Sequence, residues 1–321
     1  MKRYWKLKLT DSAERMIESA DEEPFRTFNS MNNISAERFF DILGEIEQFV
    51  LKFERETGMR SASKWIGERL SDAVSAGRTT VKSHLEHLYF SMFDVRSGTS
   101  FILMENYEIL RVGFFRRRYK VYDLSVPRFI LIRIIHEDTH AHILSDEYAN
   151  LYAELLQIAR DEAERAERNE SAERAGIIRI SPRISAPVHV IEIEEKIARG
   201  MQRYAINAFL IEKIEKIKKI KKIEKCDEII EIFGTPLFVM PDRYVMKCIS
   251  DMIHRASVEF KAGYLSEQQY IREYARSLRQ GVDDIYERAR TYLHRNVEFL
   301  KDVVKCCLNG DYRILNAARL L

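Results

Sequence analysis

Residues 35–58 read SAERFFDILGEIEQFVLKFERETG, and their pattern decides the fold class. Phe39, Ile42, Leu43, Ile46, Phe49, Val50 and Phe53 recur at three- and four-residue steps, which lays one apolar stripe along an α-helix. Ser35 stands where an N-cap belongs, and Gly58 follows where a left-handed closing residue is needed. A helix over residues 35–57 is therefore expected, and it sets the tone for both ends of the chain. Periodicity predicts two more helices over residues 63–74 and 79–90, and a short alternating stretch at residues 5–9 predicts a strand. Residues 1–95 thus read as a mainly helical N-terminal part.

The middle of the chain changes character. Residues 101–104, 107–115 and 119–124 are aromatic and β-branched runs split by polar breaks, which predicts a small antiparallel sheet. Pro127 suits the first turn of a helix and opens one from residue 128. Residues 177–180 and 188–193 read as two further strands between Gly176, Pro182 and Pro187. Residues 96–193 form a central α+β part on this reading.

From residue 194 helices take over. Asp242 caps a helix over residues 242–262, and Ser266 with Gln269 makes a capping box for the next, which is expected to end at Gly281. A third, over residues 283–308, stops before Gly310, and a short terminal helix completes a bundle over residues 194–321. The fold class expected is α+β, predominantly helical.

Composition bounds what such a chain can be. It has 321 residues, 52 Lys plus Arg against 50 Asp plus Glu, 12 Gly, 6 Pro, four Cys and 46% hydrophobic residues. A net charge of +2 argues against a globally basic nucleic-acid binder. With no apolar run of about 18 residues, no membrane partner is expected. Residues 1–9 are basic but no apolar stretch follows, which does not fit a signal peptide and predicts a cytoplasmic protein. Cys226, Cys248, Cys306 and Cys307 lack metal or disulfide spacing and read as reduced. Abundant Glu, Lys, Arg and Ile with few Gly and Pro resemble hyperthermophile proteins, and the overall style resembles proteins of archaeal plasmids and viruses.

Two charge runs read as solvated surface. Residues 161–175 carry no large apolar residue and predict a projecting helix end. Isoleucines 211, 214, 217, 220 and 223 step by three, so they drift about 240° around a helix and form no single seam. Arg116, Arg117, Arg118, Tyr119 and Lys120 sit at an expected hairpin turn, where bases could stack on aromatics while cations hold phosphates; cations facing water and aromatics facing the core is the plainer reading.

His136-Glu137-Asp138-Thr139-His140 carries the chemistry. On a helix, histidines four apart share a side and can reach one Zn²⁺, and the glutamate between them can act as general base. Phe129, Ile132 and Ile143 align with the histidines and give them a partly apolar wall. Over residues 136–156 the chain resembles the zincin metallopeptidases. That resemblance implies zinc ligands at His136 and His140, a base at Glu137, and a third ligand from the acids that follow, Asp146 or Glu147. A straight helix would carry Glu147 about 10 Å along the axis from His140, so the third ligand requires a break near Leu144, with Ser145 as cap of a new helix. His142 faces another side and reads as a surface residue.

The function expected first is a macromolecular interaction protein without catalysis, binding an unknown protein or itself, which the projecting charged helix and the basic aromatic hairpin favour and which requires no cofactor; two alternatives stand beside it. A zinc-dependent metallopeptidase fits the HExxH motif. A nucleic-acid-binding protein would use the hairpin.

Overall fold

A computed structural model describes residues 6–18, 36–80, 91–104, 126–145, 147–170, 182–219 and 267–318. In order they form β1 (Leu7–Leu9), α1 (Asp11–Glu18), α2 (Ala36–Thr57), β2 (Lys64–Glu68), α3 (Leu70–Ser75), β3 (Ser91–Asp94), β4 (Thr99–Leu103), α4 (Val126–Ile143), α5 (Glu147–Glu170), α6 (Pro182–Lys219), α7 (Glu267–Leu308) and α8 (Ile314–Ala318). The fold is predominantly helical α+β.

α2 forms as its stripe predicts. Ile42, Leu43, Ile46, Val50 and Phe53 are fully buried, Gly58 closes the helix at φ +72°, and the Met59 N–H donates to the Glu54 carbonyl at 3.0 Å. That is the closing bond a left-handed glycine permits.

The sheet departs from expectation. Its order is β1-β2-β4-β3. β1 runs parallel to β2 and β2 parallel to β4, and only β3 and β4 pair antiparallel. The sheet is therefore mixed, and residues 63–74 hold β2 and the short α3 where one helix was expected. Trp65 is wholly buried, and strands flank β2 on both sides, so tertiary pairing overrides the helical periodicity. Gly67 marks how closely they approach: a Cβ there would lie 2.6 Å from Leu9 Cδ2 and 2.7 Å from Met104 Sδ. Thr79 and Thr80 are not helical, and residues 81–90 lie outside the described residues.

α4 is the hub. Ile130, Leu131, Ile134, Ile135 and Ile143 are buried together with Arg133, Glu137, Asp138 and Thr139, because the helix packs against β3 and β4, α2 and α6. A helix surrounded in this way is apolar on most sides. Each fully buried Ile or Leu contributes about 1.5–3 kcal/mol relative to exposure.

Two long helices replace the segments expected farther on. Residues 188–193 lie inside α6, since Ala186, Val190, Ile193, Ile197, Ala198 and Met201 are buried at helical spacing and outweigh the β-branched run. α7 runs unbroken through Gly281. One mid-helix glycine costs about 1 kcal/mol, less than is gained by burying Val282, Ile285, Ala289, Leu293 and Leu300. α7 stops where expected, with Gly310 at φ +77° and the Asp311 N–H donating to the Cys306 carbonyl at 2.9 Å. α6 and α7 pack along one another. One hydrophobic core runs through α2, β2, α4, α6 and α7, so the three sequence parts share it.

Other expectations fall partly or wholly outside the described residues. α5 extends to Glu170, and Glu162 in its charged end pairs with Arg183 of α6 at 3.2 Å. Ile211 is buried, and α6 continues to Lys219. Residues 105–125, with Arg116, Arg117, Arg118, Tyr119 and Lys120, lie outside, as do residues 177–180, 242–262, Ser266, Cys226 and Cys248. Cys306 and Cys307 are free. No described helix is long and apolar enough to cross a membrane.

Candidate metal centre

The helix breaks where a third ligand would need it to. α4 ends at Ile143 and α5 starts at Glu147. The Ser145 hydroxyl donates to the His142 carbonyl at 2.6 Å, closing α4. The turn nevertheless does not deliver Glu147 to the histidines. Its carboxylate is exposed and pairs with Lys305 of α7 at 3.2 Å. Asp146 lies outside the described residues. His142 is tied down, its Nδ1 accepting the Arg60 N–H at 3.0 Å.

The acid that meets the histidines comes from α6. His136 Nε2 and His140 Nε2 stand 3.1 Å apart. Glu195 Oε2 lies 3.6 Å from His136 Nε2, and Glu195 Oε1 lies 3.4 Å from His140 Nε2. Among the described residues, this is the group whose donor atoms converge closely enough to hold one ion. Tetrahedral ligands about 2.0–2.1 Å from zinc lie about 3.3 Å from one another, so the spacing fits. Two imidazoles and a carboxylate also match the donor set of catalytic zinc sites that keep one position open.

The neighbouring residue supplies the outer support. Glu194 Oε1 lies 2.8 Å from His140 Nδ1. A carboxylate there holds the proton on Nδ1 and leaves the Nε2 lone pair for an ion, as outer carboxylates do in metal sites. Both edges of the His140 ring are thus engaged by successive residues of one helix. Burial opposes charge on His140, yet the bonds to Glu194 and Glu195 outweigh it and lift its pKa to about 10. Those to His136 and then His140 hold Glu195 well below the usual carboxylate range. Binding of a cation at these nitrogens competes with their protonation.

Glu137 stands close enough to the histidines for its charge to act on His140. It is buried, and its Oε1 accepts the Ser91 hydroxyl of β3 at 2.5 Å. Asp138, wholly buried on the opposite side, accepts the Ala62 N–H at 2.8 Å and the Trp65 indole N–H at 3.0 Å through one oxygen, Oδ1. Burial, then the charge of Glu54, pushes the Asp138 carboxyl well above its ordinary pKa. A proton kept on Asp138 lets it donate to Glu54, which satisfies two oxygens otherwise without a donor, Asp138 Oδ2 and Glu54 Oε1. Lys6 completes this cluster, with its ammonium 3.6 Å from Glu54 Oε2 and 4.2 Å above the Trp65 ring. Thr139 donates to the Ile135 carbonyl at 2.7 Å.

Sequence reasoning reached His136, Glu137 and His140 but missed Glu194 and Glu195. Glu194 lies 54 residues beyond His140, far outside the stretch in which the zincin resemblance placed an acid. The available signal is the Glu194-Glu195 pair directly after the β-branched run 188–193. Comparison with known proteins finds no match for this chain among protein-family models, curated proteins or solved structures.

Proposed function

We propose that this protein is a zinc-dependent hydrolase of the metallopeptidase type. The observation that carries the reading is the convergence of His136 Nε2, His140 Nε2 and the Glu195 carboxylate at ligand spacing. His136, His140 and Glu195 would hold the ion, which would polarise a substrate carbonyl and bring the pKa of a water to about 7. The remaining roles belong to the chain. Glu194 fixes the tautomer and the plane of the His140 ring. Ser91 holds Glu137 by Oε1, which leaves Oε2 to take a proton from the attacking water and pass it to the leaving amine. Both acts require the Glu137 carboxylate to stay fixed while the substrate changes, and its burial on α4 against β3 supports this.

The test is metal content by elemental analysis of protein purified without a metal-affinity tag. About one zinc per chain is expected, lost in His140→Ala and in Glu195→Gln. Glu137→Gln is expected to keep its zinc and to lose hydrolysis of a quenched-fluorescent peptide mixture. Absence of zinc after it is added back would overturn the reading and make the histidines structural.

A further inference from the structure

Three large hydrophobic residues are exposed among the described residues: Val95, Val188 and Ile191, at 56%, 57% and 46%. Singly exposed apolar side chains are ordinary. Two of these three, however, lie on one stripe of α6 that leads to the candidate ligand. At about 100° per residue, Ile184, Val188, Ile191 and Glu195 fall within an arc of about 60°. The opposite side of the same stretch supplies core residues, Ala186, Val190, Ile193 and Ile197. The outer apolar residues are thus additional to what holding α6 in place requires. Beyond Glu195, the stripe continues to Arg199, which is 67% exposed with its guanidinium 3.7 Å from Glu195 Oε2.

We propose that this stripe is the substrate bench of the site: Val188 and Ile191 seat an aliphatic side chain of a peptide, and Arg199 pairs with an acidic side chain on the other flank of the bond being cut. The inference rests on the hydrolase reading for its geometry, since Glu195 lies between the two contacts. Length fixes the spacing. Ile191 and Arg199 are about 12 Å apart along the helix, and an extended peptide advances about 3.3 Å per residue. The aliphatic and acidic residues of a bound peptide therefore stand about four positions apart. The complementarity is chemical as well as spatial, with exposed aliphatic surface on one side of the site and an exposed cation on the other.

The experiment is fluorescence anisotropy with fluorescein-labelled octapeptides of Gly, Ala and Ser. They carry a single Leu, a single Asp, or Leu and Asp four apart in either order. Glu137→Gln protein as purified, which is expected to keep its zinc, binds without cutting. One order of the Leu/Asp peptide is expected to bind at least tenfold tighter than the unsubstituted peptide, a size typical of one well-seated apolar side chain. V188S/I191S is expected to erase the Leu preference alone and R199Q the Asp preference alone. Both sets of side chains are exposed, so the variants keep the fold, which circular dichroism verifies. Equal binding of all peptides, or preferences unmoved by the variants, would overturn the bench. Outcomes for the two proposals separate cleanly: zinc and hydrolysis without these preferences leave the hydrolase and remove the bench. Preferences without zinc or hydrolysis leave a peptide-binding ledge and remove the hydrolase.

Discussion

Asp138→Ala is expected to destabilise the fold by about 2–6 kcal/mol, whereas Asp138→Asn stays within about 1 kcal/mol of the wild type. Asp138 Oδ1 is the acceptor for two buried donors, the Ala62 N–H at 2.8 Å and the Trp65 indole N–H at 3.0 Å. Removing the acceptor orphans both, and each buried orphan costs about 1–3 kcal/mol. Against a total stability of about 5–15 kcal/mol, that loss is large. Asparagine keeps the accepting oxygen, and its amide can donate to Glu54 as the protonated acid does. Urea unfolding followed by tryptophan fluorescence measures both variants, and Trp65 reports from inside the cluster. The sign with pH is also fixed. The native state holds the Asp138 proton to higher pH than the unfolded chain, because burial raises its pKa. Wild-type stability contributed by this group is therefore full below about pH 4, the ordinary carboxyl value, and is lost as pH rises toward the native one. Asp138→Asn does not titrate and should gain on the wild type across that window. Equal losses in the alanine and asparagine variants, or a relative gain toward acid pH, would refute the shared-proton cluster.

Other perturbations probe other links. Glu194→Gln weakens the acceptor beside His140 Nδ1 and should lower zinc affinity about 10–100-fold in a chelator competition; unchanged affinity would remove Glu194 from the metal centre. Gly200→Ala places a Cβ 2.2–2.6 Å from the Tyr292 ring and hydroxyl, so overpacking of about 1–3 kcal/mol should exceed the helix-propensity gain of about 1 kcal/mol. In a double-mutant cycle with Tyr292→Ala, the two losses should not add, and additivity would count against the contact. Asp72 is opposed by burial, but bonds from Ser12 and Thr10, each at 2.6 Å, win and lower its pKa. Its contribution is present above about pH 4 and lost as pH falls. Asp72→Asn should therefore flatten the acid limb of the stability profile, and an unchanged limb would show those bonds to be idle.

The parts of the fold legible in the sequence are those decided locally. Residues 35–58 contain their own stripe and stop signal, and α2 follows them nearly residue for residue. The end of α7 at Gly310 is local in the same sense. Gly281 has the same composition cue but is itself buried and is followed by Val282, Ile285 and Tyr286, which neighbouring elements bury, so the helix runs through it. The Val188–Ile193 run has strand-forming residues, yet its fate depends on α4, α5 and α7 packing along α6. β2 likewise exists because β1 and β4 flank it. The candidate site divides on the same line. His136, Glu137 and His140 are placed by one helix turn, which sequence spacing describes. Glu194 and Glu195 arrive by tertiary packing, and no local periodicity encodes which acid on a distant helix will face the histidines.

One turn of α4 sends five consecutive side chains to five different destinations. His136 goes to Glu195, Glu137 to Ser91, Asp138 to Ala62 and Trp65, Thr139 to its own helix, and His140 to Glu194. A mutation at any of them but Thr139 strands a partner outside the helix, so these positions are expected to vary together with the side chains they meet. Distant kin of this protein should then be recognisable by a two-part signature, His-Glu-Asp-x-His with Glu-Glu beginning 54 residues after its second histidine, even where the surrounding sequence has diverged completely.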